Sequence, residues 1–173
     1  LAAGLAKLDQ RVLLVDLDPQ GNATMGAGVN KAKIESSVYQ VLLGMADVKS
    51  AVVRSESGKF DILPANRELA GAEVEMVELE NRDKRLRLAL DQVGADYDFI
   101  LIDCPPALSM LTLNGLCAAN GVIIPMQCEY YALEGLSDLA NTIKKVSANL
   151  NPDLKIVGLL RVMFDPRMTL SQQ

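Results

Sequence analysis

The chain contains no histidine, and that single absence removes much of nucleophilic catalysis. Neither a Ser/His nor a Cys/His pair can be built, so triad-type chemistry is disfavoured. Cysteine is sparse: Cys104, Cys117 and Cys128 are scattered and odd in number. A zinc–thiolate centre needs clustered Cys/His spacings, so none is expected. The pattern fits a reducing, cytosolic setting. No apolar run approaches the ~18 residues of a membrane span. The opening LAAGLAKL lacks a basic leader and is too short for a signal peptide. It reads instead as the C-terminal half of a helix, with Leu1, Leu5 and Leu8 on one face. Positive charge is also short, the net charge being -5, which argues against nucleic-acid binding through bulk positive charge. Gly26-Ala27-Gly28 follows no strand and lacks a third glycine at the required spacing, so it is no dinucleotide fingerprint. There is no initiator Met, and Thr169 to Gln173 stops at what reads as a helix start, so both ends are expected to be cut.

What is present is apolar and regularly punctuated. Half of the 173 residues are hydrophobic, enough for one substantial core, and length argues for one domain over residues 1–173. Strands are expected at Val12–Asp16, Phe60–Leu63, Phe99–Asp103, Gly121–Met126 and Ile156–Met163. They are short and apolar on both faces, as strands of a helix-covered parallel sheet are. Helices are expected at Val38–Leu43, Arg67–Leu79, Arg82–Val93, Met110–Ala118 and Leu133–Leu150. In the last of these Leu133, Leu136, Ala140 and Ile143 recur at helical intervals, and Asn151-Pro152 stops it. The alternation predicts an α/β fold: a mostly parallel β-sheet flanked by helices on both faces, a three-layer sandwich. The charged stretch Asn66–Asp91 reads first as a solvated helical pair and second as a partner surface. Tyr130 and Tyr131 are expected to pack at a strand-to-helix turn.

Two segments carry chemistry. Arg11 to Thr24, RVLLVDLDPQGNAT, runs from an apolar strand into Asp16 and Asp18 and then a Pro-Gln-Gly-Asn turn. Asp98 to Pro106, DFILIDCPP, ends a second apolar strand on Asp103. In doubly wound sheets ligands bind beyond the carboxyl ends of the strands, where all three aspartates are expected. A carboxylate leaving a buried strand is costly unless it is paired, hydrogen-bonded or close to a metal. Mg²⁺ needs only one or two carboxylates beside water and phosphate oxygens. Asp103 has the form of the aspartate that holds Mg²⁺ in P-loop nucleotidases, with Asp16 supporting the metal from the neighbouring strand. Asp18 is placed to orient the water that attacks a γ-phosphate. Asx-turns or helix N-caps would explain either strand alone, but two such strands in one chain favour a magnesium–nucleotide site. Cys104 is expected to be a small buried residue rather than a reactive thiol. Gly21 and Pro105-Pro106 supply turns of the kind that respond to a γ-phosphate, although plain turn chemistry would place them equally well.

Taken together, VLLVDLDPQGNAT, DILPAN with LAGAE, DFILIDCPPALSMLTLNGL, IIPMQCEYYALEGL and MFDPR, in this order, closely resemble the ParA/Soj chromosome- and plasmid-partitioning ATPases of the deviant-Walker P-loop group. The likeness covers nearly the whole chain. It implies a P-loop NTPase-like domain lacking the P-loop strand and the C-terminal elements, because the family's KGGxGKT[ST] loop is not among these residues. By position it implies that Asp18 positions the hydrolytic water, that Asp103 is the Walker B aspartate and that Asp16 is its Mg²⁺-site neighbour. Asp18-Pro19-Gln20-Gly21-Asn22 matches the first switch, so Gln20, Gly21 and Asn22 are implied nucleotide-site residues. Pro105 and Pro106 match the second. The cofactors implied are ATP and Mg²⁺. The partners implied are a second copy in an ATP-dependent homodimer, DNA bound without sequence preference, and a ParB-like protein that stimulates hydrolysis. The setting is the bacterial cytoplasm and nucleoid, with no membrane. This chain alone is expected to bind ATP poorly, because the loop is missing.

The basic residues Lys144, Lys145, Lys155, Arg161 and Arg167 are the best DNA-contact candidates, though they form no stripe. Competing readings are a MinD-like division-site regulator, which needs a C-terminal amphipathic helix, and an electron-transfer ATPase like the nitrogenase iron protein. The latter needs two cluster cysteines per subunit, and Cys104, Cys117 and Cys128 do not match that pattern. A non-enzymatic α/β binding module is the last.

Overall fold

A computed structural model describes residues 1–127, 132–163 and 167. The described residues fall into two compact units, Leu1–Ala118 and Ala119–Gln173.

The first unit opens with a short helix, α1 (Ala2–Ala6), and then β1 (Val12–Asp16). Helices α2 (Asn22–Gly26), α3 (Val38–Leu43) and α4 (Val48–Ala51) follow, with a 3-10 turn at Lys31–Lys33 between the first two. Next come β2 (Val53–Ser55), β3 (Phe60–Leu63), α5 (Leu69–Glu75), α6 (Arg85–Leu90), β4 (Phe99–Asp103) and α7 (Met110–Ala118). The strands form a four-stranded sheet in the order β2-β3-β1-β4. Strand β1 runs parallel to both neighbours, and β2 alone is antiparallel.

Alternation along β1 explains the layering. Leu13 and Val15, with Leu17 just beyond, face one core together with Val38, Leu42, Leu63, Leu69, Met76, Leu86 and Leu111. Val12 faces the other core with Ala2, Phe60 and Ile62. A period of two along the strand therefore buries both faces, and helices cover each. At α3, Ser37 caps the start: its Oγ accepts from the Tyr39 N–H at 3.2 Å, and Gln40 Oε1 accepts from the Ser37 N–H at 2.8 Å. Gly44, in the left-handed region at φ 76°, ends it.

The expected strands over β1, β3 and β4 and the helices over α3 and α7 have the predicted bounds. The expected helix Arg67–Leu79 is shorter, α5 passing into a 3-10 turn at Met76–Glu78. The next helix runs over Arg85–Leu90, inside the expected Arg82–Val93, and Lys84 before it stands at φ -118° and ψ 8°, outside helical geometry.

At the opposite end of the sheet from the aspartate turns, Arg11 locks the start of β1 to that of β4. Its N–H and guanidinium donate to the Asp98 carboxylate, two of the contacts at 2.8 Å, and the Asp98 N–H donates back to the Arg11 carbonyl at 2.9 Å. Those bonds from Arg11 hold the Asp98 carboxyl down at about 2. The folded pKa is depressed, so this stabilisation is present above the usual carboxylate pKa and is lost as pH falls from about 4 towards 2. Asp98→Asn is expected to lower stability at neutral pH and flatten its decline over that acid range. Acid titration of intrinsic tyrosine fluorescence checks this; an unchanged profile would contradict it.

The second unit contains β5 (Gly121–Gln127), α8 (Ala132–Asn149) and β6 (Lys155–Val162), with β5 and β6 paired in parallel. Its buried residues include Ile124, Ile143, Val146 and Leu154, while Asn151 Nδ2 donates to the Ala119 carbonyl at 2.7 Å just past the end of α8. Strand β6 differs from expectation: Val157, Leu159 and Leu160 are exposed. Two strands with one helix can cover only one of their faces. The expectations for Tyr130 and Tyr131, and for a helix start at 169–173, lie outside the described residues.

Candidate nucleotide site

Strand β1 ends on Asp16, and the chain leaves the sheet through Leu17. The Leu17 N–H still donates to the Asp103 carbonyl at 2.8 Å, which extends the ladder past the Asp16↔Asp103 pair. Register partners on parallel strands lie about 5 Å apart with side chains on the same sheet face. The two expected carboxylates are thus brought together at the carboxyl edge.

Their surroundings differ. Asp16 is fully buried, and its Oδ2 accepts from the Thr24 N–H at 2.8 Å and the Thr24 hydroxyl at 2.7 Å. Its Oδ1 accepts from the Asp18 N–H at 3.1 Å. These bonds offset the cost of burying a carboxylate and fold the exit turn back onto the sheet. Thr24, also buried, accepts at Oγ1 from the Ala65 N–H at 2.9 Å, so the chain after β3 is joined to the same anchor.

Asp18 is half-buried in an Asx-turn: Oδ1 accepts from the Gln20 N–H at 2.9 Å, and its carbonyl accepts from the Gly21 N–H at 2.8 Å. Its Oδ2 has no hydrogen-bond partner among the described residues. Gly21 takes φ 60°, and a Cβ there would stand 2.8 Å from the Ala65 carbonyl oxygen, so both backbone angle and space require glycine. Gly21 opens α2, and Gln20 and Asn22 are exposed beside it.

Asp103 is exposed, and its carboxylate has neither a hydrogen bond nor an ion pair among the described residues. Partial burial raises its pKa, and the charges of Asp16 and Asp18 push it further. Beyond it, Pro105-Pro106 leads towards α7. The Thr112 hydroxyl donates to the Ala107 carbonyl at 2.6 Å, and Ser109 Oγ accepts from the Leu111 N–H at 3.2 Å. Cys104 is exposed, against expectation, because it lies on the turn rather than inside the strand. Its sulfur nonetheless lies 2.7 Å from where a Cβ on Gly115 would stand, and desolvation first, then the Asp103 charge, push the thiol up to about 12. A raised thiol pKa is the opposite of what a reactive thiolate needs.

One structural segment therefore holds Asp16, Asp18, Gln20, Gly21 and Asn22, and the adjacent one holds Asp103, Pro105 and Pro106. Sequence reasoning missed Thr24 and Ala65. Their contact spans 41 positions, and only a threonine shortly after an acidic strand end hinted at it.

Electrostatically the edge is under-compensated. None of the three aspartates is ion-paired among the described residues. The donor set fits Mg²⁺: Asp103 offers hard, unpartnered oxygens, and the raised pKa reports negative charge that a divalent cation would neutralise. Among the described residues no group of three or more His, Cys, Asp or Glu could cage an ion. Because the folded pKa of Asp103 is raised, its charged form opposes folding at neutral pH, and stability is gained as pH falls through that value. Asp103→Asn is expected to leave the ligand-free midpoint unchanged or slightly higher. Solvent screening at this exposed position keeps the gain under about 1 kcal/mol. A loss of stability in chemical unfolding would contradict this.

The mostly parallel helix-covered sheet, with carboxylates at the ends of adjacent strands, defines an α/β nucleotide-binding class. A family model described as AAA domain matches residues 1–156. The chain is 51% identical over 173 residues to the sporulation initiation inhibitor protein Soj of Bacillus subtilis, covering 100% of this chain and 68% of that one. It is 50% identical to the chromosome partitioning protein ParA of Myxococcus xanthus, covering 100% and 61%. Among solved structures, a Mycobacterium smegmatis protein described as cobyrinic acid a,c-diamide synthase, with bound ATP analog and magnesium, superposes with a TM-score of 0.95 at 44% identity. That match covers 99% of this chain and 70% of the other. The chain belongs to the ParA/Soj family of partitioning ATPases, P-loop proteins of which it spans roughly two thirds, 61% and 68% of the two curated relatives.

Proposed function

We propose that the full-length protein is an ATP-driven switch in chromosome or plasmid segregation. It dimerises with Mg-ATP, binds DNA without sequence preference in the nucleoid, and releases it when a ParB-like partner stimulates hydrolysis. The two units belong to one P-loop NTPase domain. The observation that carries this reading is the placement of Asp18, with one oxygen fixed and one free, beside the Asp16↔Asp103 pair.

Each residue then has a defined task. Asp103 would hold Mg²⁺, which supplies neutralisation of phosphate charge when bound. Asp16 supports that site indirectly: Oδ2 already accepts two bonds and Oδ1 one, so its work is to fix the 17–24 turn. Asp18 Oδ2 accepts a hydrogen bond from the attacking water and orients it, while the Gln20 N–H keeps Oδ1 from rotating into its place. Gln20, Gly21 and Asn22 present the first switch, and Pro105-Pro106 the second, tied to α7 through the Ser109–Thr112 turn. Asp103→Ala is expected to weaken magnesium-dependent nucleotide binding by about tenfold or more.

Co-sedimentation of the full-length protein with arbitrary DNA tests the switch. Retention with Mg-ATP but not Mg-ADP, lost at high salt, is expected. Equal failure with both nucleotides would overturn it, and lipid vesicles would then test the MinD-like alternative. A second reading follows from the name of the Mycobacterium smegmatis protein. Conversion of cobyrinic acid to its a,c-diamide by the full-length protein would establish it instead.

A further inference from the structure

Lys31 is the one lysine whose ammonium reaches the 18–21 turn among the described hydrogen bonds, and the proposed function gives it no task. It stands at the start of the 3-10 turn Lys31–Lys33, which Asn30 caps by accepting from the Ala32 N–H at 3.0 Å. From there the half-buried side chain reaches back, and Nζ donates to the Gln20 carbonyl. Its stem lies against Gly21: a Cβ on that glycine would stand 2.8 Å from Lys31 Cε and 2.8 Å from the Ala65 oxygen. The glycine is thus crowded by both groups. The Ala65 peptide is held by Thr24 and so by Asp16, whereas among the described residues it is the Lys31 side chain that binds the Gln20 carbonyl. Lys31 forms no ion pair among the described residues, so no carboxylate competes for it.

We propose that Lys31 is a positioning residue for hydrolysis: by holding the Gln20 carbonyl it fixes the Asx-turn that aims Asp18. The inference rests on the reading of the full-length protein as an ATPase. Gln20 links the two contacts, because its N–H donates to Asp18 Oδ1 while its carbonyl, in the next peptide unit, accepts from Lys31. Releasing the carbonyl frees the turn to rotate and lets the Asp18 carboxylate wander from the water. Arginine can restore a cationic donor with a long stem, whereas methionine keeps the stem and removes the donor.

The test compares Lys31→Met and Lys31→Arg with the wild-type full-length protein in two measurements. In steady-state ATP hydrolysis, Lys31→Met should lower kcat about tenfold with KM for ATP changed less than about twofold, and Lys31→Arg should recover most of the loss. In hydrogen–deuterium exchange of the nucleotide-free protein, Lys31→Met should speed exchange at the Gln20 and Gly21 amides, with the β1 and β4 amides unchanged. Faster exchange with unaltered kcat would make Lys31 merely structural and overturn the proposal. Unaltered exchange would overturn it too, whatever the rate. A wild-type protein without ATPase activity would instead defeat the underlying reading, and the exchange result would still report on the Lys31 contact.

Discussion

Asp18→Ala in the full-length protein is expected to lower ATP hydrolysis by about 10²–10⁴-fold while ATP binding and ATP-dependent dimerisation persist. The separation follows from the geometry. Among the described residues Asp18 Oδ1 bonds only to the Gln20 N–H of its own turn, and Oδ2 has no partner there. The turn is also held by the Gly21 N–H on the Asp18 backbone carbonyl, by the Asp16–Thr24 bonds and by Lys31 on the Gln20 carbonyl, all of which an alanine retains. The mutant should therefore keep the site and lose the carboxylate proposed to orient water. Single-turnover hydrolysis beside equilibrium nucleotide binding separates the two effects. Near-normal turnover would remove Asp18 from the mechanism.

Thr24→Val should produce the largest loss of stability of any conservative change near the site, about 3 kcal/mol. Valine matches threonine in shape, so packing is kept and the effect isolates the hydroxyl. That hydroxyl donates to a buried carboxylate and accepts a buried backbone N–H. Its removal costs one charge-assisted bond and leaves the Ala65 N–H without a partner in a site shielded from water. Against a total stability of about 5–15 kcal/mol this is a large fraction, and it corresponds to a fall in Tm of roughly 10 °C. Urea unfolding of Thr24→Val beside Thr24→Ser checks it, since serine retains the hydroxyl and should recover most of the loss. Equal stability of the two variants would show that the hydroxyl carries little.

The sequence exposed the frame of this site more clearly than its fastenings. Strands β1, β3 and β4 were legible because each is an apolar run closed by a turn, and Asp16, Asp18 and Asp103 because a carboxylate at the end of such a run is conspicuous. The antiparallel strand β2 is only Val53–Ser55, with Arg54 at its centre, and three residues of mixed polarity carry no period. Helix α2 starts on a left-handed glycine rather than on a capping side chain, so no usual start signal marks it. The contacts of Thr24 with Ala65 and of Lys31 with Gln20 join residues that no local pattern relates. They become visible only when the turn is closed in three dimensions. Asn114 is similar: buried within α7, it accepts from the Leu86 N–H at 3.1 Å and donates to the Arg82 carbonyl at 2.7 Å, a role no helical periodicity announces.

Strands β1 and β4 are bound together beyond both of their ends, by Arg11 and Asp98 at one and by Leu17 and Asp103 at the other. A beam clamped in this way cannot slide or shear along its length. The chain leaves the aspartates through two short exits, 17–21 into α2 and 104–109 into α7. The pair of strands is the fixed mount for those exits, and through Thr24 the first of them is also fastened to the chain after β3.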